Sequence, residues 1–219
     1  MHPILYSFRR CPYAIRARVA LYCLGHRVEL REVVLKNKPE QMLTASAKGT
    51  VPVLILPETV IDESIEIMQW AMDNLVSTRL FGASETPLSE NALIQENDFH
   101  FKPILDRYKY FERYPEFTQA VYLEQALPFL RSLNKLIATH NGFLEGAAFT
   151  AVDAAIFPFI RQFAHSDMAK FSALELPELQ RWLRHCLDLP MFSHVMKKYP
   201  AWSVERSNAI DFGGDGLIA

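Results

Sequence analysis

The sequence predicts an α/β domain followed by an all-helical domain. Over residues 1–76, short apolar runs typical of strands alternate with segments of helical periodicity, whereas from about residue 88 onward helical periodicity dominates. Residues 77–87 are rich in serine, threonine, glycine and proline, a composition typical of a linker. We therefore predict an α/β domain at 1–76, a linker at 77–87 and a helical domain at 88–219.

The elements of the first domain follow the order strand, helix, strand, short helix, strand, strand, helix. Strands are expected where β-branched and aromatic residues cluster, and helices where a capping residue or a proline precedes a periodic run. This order predicts a small four-stranded sheet with helices packed against it. The criteria place strands at 4–8, 28–35, 51–56 and 60–61, and helices at 12–24, 42–45 and 64–75.

The second domain is predicted to consist of helices joined by short loops. Pro103 and Pro128 lie inside two of these helices, and we expect kinks there because the apolar pattern resumes on both sides. Thr150 and Asp153 have the spacing of a capping box. The glycine-rich tail at 211–219 is predicted to be irregular. The helices are expected at 88–114, 118–140, 151–165, 177–188 and 190–198.

Composition limits the class of protein. The 219-residue chain is 50% hydrophobic with a formal net charge of −2, which gives no reason to expect nucleic acid or an anionic membrane as partner. We find no signal-peptide pattern, and no apolar stretch approaches the roughly 20 residues of a membrane span. The three cysteines, Cys11, Cys23 and Cys186, have no paired spacing, which favours a reducing compartment such as the cytoplasm.

Cys11 is the strongest candidate for a reactive residue. A strand ends just before it, and Pro12, a residue type favoured at the first helical position, places Cys11 at the N-cap. The positive pole and unpaired N–H groups of a helix N-terminus stabilise a thiolate, and Arg9 and Arg10 add positive charge nearby. We therefore expect Cys11 to ionise below the pKa of about 8.5 of an unstructured cysteine. The alternative is a buried cysteine that only packs in a turn.

Several motifs, in the same order, resemble those of the cytosolic glutathione transferases. They are Cys11-Pro12-Tyr13-Ala14, Leu35-Lys36-Asn37-Lys38-Pro39-Glu40, Val51-Pro52-Val53-Leu54 and Glu63-Ser64. The first motif is most similar to omega-type and related bacterial cysteine-type enzymes. The resemblance covers nearly the whole chain and implies the glutathione transferase fold, with a thioredoxin-like domain built on a mixed four-stranded sheet and an all-α second domain. It also implies a cytoplasmic homodimer.

The resemblance implies how one end and the middle of glutathione are bound. Pro52 would be cis and face the cysteine, and the backbone of Val51 would pair with the cysteinyl part of glutathione. Without the resemblance, Pro52 would be a trans proline at a strand edge. Glu63 and Ser64 would hold the γ-glutamyl end, whose ammonium needs an acceptor carboxylate and whose carboxylate needs donors. As a bare motif they would form only a helix cap.

The remaining candidates surround the sulfur. Lys38 would reach the glycine carboxylate of glutathione, although on its own it is a solvated lysine. Tyr13 would lie beside the sulfur, where it either donates a hydrogen bond to a bound substrate or only packs. Tyr108 and Phe111 would share a helix face at i, i+3 and are candidates for a second-substrate pocket, with core or interface packing as the alternative.

The function implied by the resemblance is that of a glutathione-dependent thiol transferase or reductase. The Cys11 thiolate would form a mixed disulfide with glutathione during deglutathionylation, dehydroascorbate-type reduction or reductive removal of glutathione from S-conjugates. Ala14 replaces the second cysteine of glutaredoxin-type motifs, and Cys23 lies roughly 18 Å further along the helix, at about 1.5 Å per residue. A second glutathione would therefore have to release Cys11.

Two other functions stay open at this point. Conjugation of glutathione to electrophiles needs a hydroxyl that stabilises the glutathione thiolate, and Tyr6 or Ser7 would be the candidates. A non-catalytic binding or regulatory protein of the same fold, like the stringent-starvation type, need not keep a nucleophile such as Cys11. The expected partners are glutathione, as co-substrate, and a small electrophilic, disulfide or glutathionylated substrate, with no metal, no nucleic acid and no membrane.

Overall fold

A computed structural model describes residues 2–74, 76, 87–204 and 210–214. The chain divides into two compact units, the first formed by Met1–Phe81 with Leu189–Ala219 and the second by Gly82–Asp188. Nearly all of the predicted linker at 77–87 falls outside the described residues. Among the described residues, no helix combines the length and apolar character needed to cross a membrane.

The first unit is built on a mixed five-stranded sheet with the strand order β4-β3-β1-β2-β5. Strands β1 and β2 are parallel, whereas the other three pairs are antiparallel. Helix α1 packs against α3 and α10. The strands are β1 (Ile4–Ser7), β2 (Arg27–Glu32), β3 (Val53–Ile55), β4 (Val60–Ile61) and β5 (Ile210–Gly213), and the helices are α1 (Pro12–Cys23), α2 (Glu40–Ala45), α3 (Ser64–Asp73) and α10 (Pro190–Val195).

This architecture confirms the predicted element order and the thioredoxin-like fold, but it corrects the strand count and the C-terminal boundary. The tail predicted as irregular forms β5, which pairs antiparallel with β2 from Arg27 opposite Gly213 to Leu30 opposite Ile210. Residues 189–219, predicted to belong to the helical domain, group with the first unit. The physical reason is the outer edge of β2, whose backbone hydrogen-bonding groups are satisfied by the added strand.

The glycines of the tail make this close packing possible. A Cβ atom on Gly213 would lie 2.4 Å from the carbonyl oxygen of His26, and one on Gly214 would lie 2.7 Å from that of Tyr22. Both distances are too short for any side chain. Glycine, which suggested irregular structure from composition alone, is required here for β5 to lie against the turn after α1.

The second unit is helical over all its described regular structure, as predicted. Its longest helix, α6, continues through Pro128 without a break. The helices are α4 (Ala92–Gln95), α5 (Lys102–Lys109), α6 (Gln119–His140), α7 (Ala151–Ala164), α8 (Met168–Ser172) and α9 (Pro177–Asp188), with 3-10 helices at Leu88–Glu90 and Phe111–Arg113 and a π-helix at Glu96–Phe101.

The helix predicted at 88–114 is divided at Pro103. Proline has no N–H group and its ring clashes with the carbonyl four residues earlier. The turn before it widens into the π-helix, in which the Lys102 N–H bonds the carbonyl oxygen of Asn97, five residues back. The wider turn removes the conflict without ending the helical path.

Asp153 joins three parts of the second unit. Its carboxylate accepts hydrogen bonds from the N–H and hydroxyl of Thr150, both at 2.9 Å, from Leu144 N at 3.0 Å and from Trp182 Nε1 at 2.7 Å. The predicted capping box is thus confirmed. Burial raises the pKa of Asp153, while these donors oppose that shift. The fully buried carboxylate links α7 to α9 through Trp182.

We predict that Asp153→Ala lowers the free energy of unfolding by roughly 3–5 kcal/mol, because it leaves several buried donors without an acceptor at about 1–3 kcal/mol each. Asp167→Ala is the matched control. Asp167 caps α8 by accepting a hydrogen bond from Lys170 N at 3.0 Å in an exposed setting, so its loss should cost about 1 kcal/mol. Urea-induced unfolding measures both values, and equal losses would contradict the structural role given to Asp153.

Candidate functional site

The loop between β1 and α1 places Cys11 at the start of a helix. Cys11 is the N-cap, with φ −77° and ψ 124°, and Pro12 occupies the first turn of α1, as predicted. The Cys11 N–H donates to the carbonyl oxygen of Phe8 at 2.9 Å, and the Cys11 carbonyl accepts from Ile15 N at 2.9 Å. The side chain is half-buried rather than sealed in the core.

The entrance of β3 lies against this cysteine. The peptide bond between Val51 and Pro52 is cis, as the resemblance implied. The Cys11 thiol donates to the carbonyl oxygen of Val51, with a distance of 3.7 Å between Sγ and O. Cys11 and Val51 pack in one hydrophobic cluster with Tyr6 and Ala14. The sulfur and the backbone of Val51 are therefore neighbours.

The other two cysteines differ in environment from Cys11. Cys23 and Cys186 have no exposed surface, and burial raises the pKa of both thiols. All three cysteines lie in the described part of the chain, and none of them is in a disulfide. Among the described residues, no group of three or more histidine, cysteine or acidic side chains is arranged to hold a metal ion.

The start of α3 supplies a second helix N-terminus. Glu63 is its exposed N-cap, and Ser64 is its first residue and is buried. The Ser64 hydroxyl accepts a hydrogen bond from Arg16 Nη1 at 3.3 Å. Arg16 is fully buried in α1, and its guanidinium lies 5.6 Å from the ring centre of Tyr13. Arg16 therefore connects Tyr13, next to the nucleophile, with Ser64.

Lys48, which the sequence analysis does not single out, pairs with the candidate site residue Glu63. Its ammonium donates to Glu63 Oε1 at 2.7 Å and to Asp62 Oδ1 at 2.8 Å, and these carboxylates raise the pKa of Lys48. Asp62 also accepts a hydrogen bond from Ser46 Oγ at 2.7 Å. The pKa of Asp62 is lowered mainly by its hydrogen bond to Lys48 and further by the one to Ser46. Nothing in the local sequence marks Lys48, because it precedes a glycine turn and meets its partners only in the fold.

Lys38 lies on the exposed loop before α2. Its Nζ atom is 3.8 Å from the position that a Cβ on Gly49 would occupy. Gly49 has φ +59°, a left-handed conformation that favours glycine. The loop that carries Lys38 therefore approaches the turn that leads into Val51, and the ammonium lies beside the chain segment that contacts Cys11.

The structure separates the two residues predicted for the second-substrate pocket. Tyr108 is only 1% exposed and stacks on Phe163 with ring centres 4.5 Å apart. Phe111 is 36% exposed and lies in a 3-10 helix. The prediction that they share one helix face is wrong, because α5 ends at Lys109. Tyr108 is thus a core residue of the second unit, whereas a pocket role for Phe111 stays a prediction.

The two hydroxyls considered for conjugation are both buried and hydrogen-bonded to arginines. Tyr6 has no exposed surface, and its hydroxyl oxygen accepts from Arg31 Nη1 at 2.7 Å. Ser7 is equally buried, and its Oγ atom accepts from Arg18 Nε at 2.7 Å. Each hydroxyl therefore serves a structural bond inside the first unit.

Two known family models match this chain. Residues 5–77 match the glutathione S-transferase N-terminal domain, and residues 99–185 match the glutathione S-transferase C-terminal domain. The mouse protein glutathione S-transferase omega-1 is 25% identical over 209 residues, which cover 94% of this chain and 80% of the mouse protein.

Solved structures agree with these matches at the level of the fold. Glutathione transferase Omega 3C from Trametes versicolor has a TM-score of 0.73 and 16% identity, covering 93% of this chain and 92% of its own. A glutathione transferase family member from Pseudomonas fluorescens pf-5, with two glutathione bound, has a TM-score of 0.74 and 19% identity, covering 89% and 92%. This chain therefore belongs to the glutathione S-transferase superfamily, as an omega-like member.

Proposed function

We propose that this protein is a glutathione-dependent thiol transferase with Cys11 as its nucleophile. The observation that carries the proposal is the position of the Cys11 sulfur, half-buried at the N-cap of α1 and 3.7 Å from the carbonyl oxygen of Val51. A helix N-terminus stabilises a thiolate, and partial exposure gives a disulfide access to it. Cys23 and Cys186 lack both properties, since burial raises the pKa of each thiol.

The reaction proceeds in two thiol–disulfide exchanges. The Cys11 thiolate attacks the glutathionyl sulfur of a mixed disulfide, the original S–S bond breaks, and the substrate leaves as its thiolate. A glutathione thiolate then attacks the glutathionyl sulfur on Cys11, which releases glutathione disulfide and restores the Cys11 thiolate. An internal disulfide would need a second cysteine at the position of Ala14. Because alanine stands there, the second exchange uses glutathione.

Glutathione binding in this proposal uses the entrance of β3 and the N-terminus of α3. The backbone of Val51 pairs with the cysteinyl part, and Glu63 accepts from the γ-glutamyl ammonium. The Ser64 hydroxyl oxygen accepts a hydrogen bond from Arg16. The hydroxyl proton can therefore be donated to the γ-glutamyl carboxylate. The similar Pseudomonas fluorescens protein, with two glutathione bound, supports a site for this ligand.

We extend the proposal to the residues that would contact the glycine end of glutathione and the second substrate. Lys38 is exposed on a loop near Gly49 and reaches the glycine carboxylate of glutathione. Tyr13, two residues after the sulfur, presents aromatic surface to a disulfide or glutathionylated substrate. The same Cys11 chemistry extends to dehydroascorbate-type reduction and to reductive removal of glutathione from S-conjugates. The homodimer and the cytoplasmic location stay predictions.

We predict that glutathione disulfide adds a single glutathionyl group to the wild-type protein, detected by intact mass, and that excess glutathione removes it. Cys11→Ala should take up none. Cys23→Ala is the matched control and should be modified like the wild type, because Cys23 is fully buried. A wild-type protein without an adduct would refute thiol transfer through Cys11.

We predict that Glu63→Gln raises the KM for glutathione about tenfold with little change in kcat, because a charge-assisted hydrogen bond contributes about 1.5–3 kcal/mol to binding. Glu66→Gln removes another exposed carboxylate from the first turn of α3 and should leave the KM unchanged. Steady-state thiol transfer at varied glutathione measures both variants. Equal KM values for the two variants would contradict a role of Glu63 in glutathione binding.

The conjugation alternative predicts a different response to substitution. Since the Tyr6 hydroxyl is bonded to Arg31 inside the unit, we expect Tyr6→Phe to retain thiol transfer within about threefold, consistent with the modest net contribution of one hydrogen bond. Cys11→Ala should abolish thiol transfer. Conjugation to an aryl halide that survives Cys11→Ala but fails in Tyr6→Phe or Ser7→Ala would favour the alternative. Glutathione binding without either activity would indicate a binding protein.

A further inference from the structure

The loop that carries Cys11 is held from one side by a carboxylate of the neighbouring strand. The Arg9 N–H donates to Glu32 Oε1 at 2.7 Å. Glu32 is the last residue of β2 and lies opposite Ser7 in the parallel register of β1 and β2. This bond acts two residues before Cys11, and the Cys11 N–H closes the same turn by bonding the Phe8 carbonyl at 2.9 Å.

The Glu32 carboxylate is itself fixed by Arg18. Its second oxygen forms an ion pair with the fully buried Arg18 guanidinium. Arg18 also donates from Nη1 to the Val195 carbonyl at 3.1 Å and from Nε to Ser7 Oγ at 2.7 Å. Burial lowers the pKa of Arg18, and Glu32 opposes that shift. With both oxygens bonded, the carboxylate is held in the orientation that receives the Arg9 N–H.

The other acidic residue of β2 offers a contrast. Glu29 accepts from Arg31 Nε at 2.7 Å, a partner on the same strand. Its side chain and that of Arg31 are both partly exposed. Glu29 thus has an arginine partner like Glu32, but its bond joins two residues of β2, whereas that of Glu32 reaches the loop before α1.

We propose that Glu32 is a positioning residue for Cys11. By accepting the Arg9 N–H, it sets where α1 begins and therefore where the helix N–H groups point relative to the Cys11 sulfur. The inference rests on the proposed function in one respect, namely that Cys11 is the nucleophile. Loss of the acceptor should let the Arg9–Cys11 loop shift, so that the thiolate is less stabilised and reacts more slowly at neutral pH.

Two double variants test this directly. Arg18→Met/Glu32→Met and Arg18→Met/Glu32→Gln both remove the buried charges together, which avoids the cost of an unpaired buried ion. Both place an uncharged side chain of similar length at position 32, but only glutamine keeps a side-chain oxygen that can accept from the Arg9 N–H. Glu29→Gln is the control for loss of a β2 carboxylate. The first readout is the rate of Cys11 alkylation by iodoacetamide as a function of pH, which needs no glutathione.

We expect the Met/Met variant to react about tenfold more slowly near pH 7 than the wild type, with a midpoint shifted to higher pH, because the part-buried Arg9 N–H has lost its acceptor. The Met/Gln variant should react at a rate within about threefold of the wild-type rate. Glu29→Gln should react at the wild-type rate. Equal rates and midpoints for the two double variants would overturn the proposal. Thiol transfer by the wild type is measured separately. If the alkylation rates follow the prediction but the wild type shows no thiol transfer, the result counts against the proposed function and not against the role of Glu32.

Discussion

The ion pair between Arg18 and Glu32 joins the parts of the first unit that come from opposite ends of the chain. Arg18 on α1 reaches Ser7 on β1 and the carbonyl of Val195 at the end of α10, while Glu32 on β2 receives the Arg9 N–H. Neither charge is stable in the interior without the other, because each would be buried without a counter-ion. The sheet, the loop before α1 and the segment that contains α10 are therefore connected through the Arg18–Glu32 ion pair and the hydrogen bonds that its two side chains make.

The candidate site combines two helix N-termini with different surroundings. At α1 the N-cap is a sulfur beside the Val51 carbonyl, and at α3 it is the carboxylate of Glu63, paired with Lys48. Helix N-termini favour negative charge, so both positions suit the anionic groups of a thiolate and a peptide carboxylate. Arg16 connects the two through Ser64. The chemistry proposed for this protein follows from this spacing of polar groups within a single unit.

Much of the first unit was predictable because its signals are local. Pro12 marks the start of α1 within a few residues. The cis bond before Pro52 was implied by the family resemblance and not by a local signal. The Arg18–Glu32 pair was not predictable, since its members lie 14 residues apart on different elements and look like ordinary charged residues of a helix and a strand. The aromatic spacing of Tyr108 and Phe111 predicts a shared face, but it shows neither where α5 ends nor that Tyr108 is buried.

The closing strand of the sheet has a consequence for how the protein is made. The first unit takes β5 from residues 210–213, whereas the second unit is a continuous stretch of chain. During synthesis on the ribosome, the helical unit can assemble before the sheet receives its last strand. The edge of β2 stays uncovered until residues 210–213 emerge, so the first unit is completed after the second.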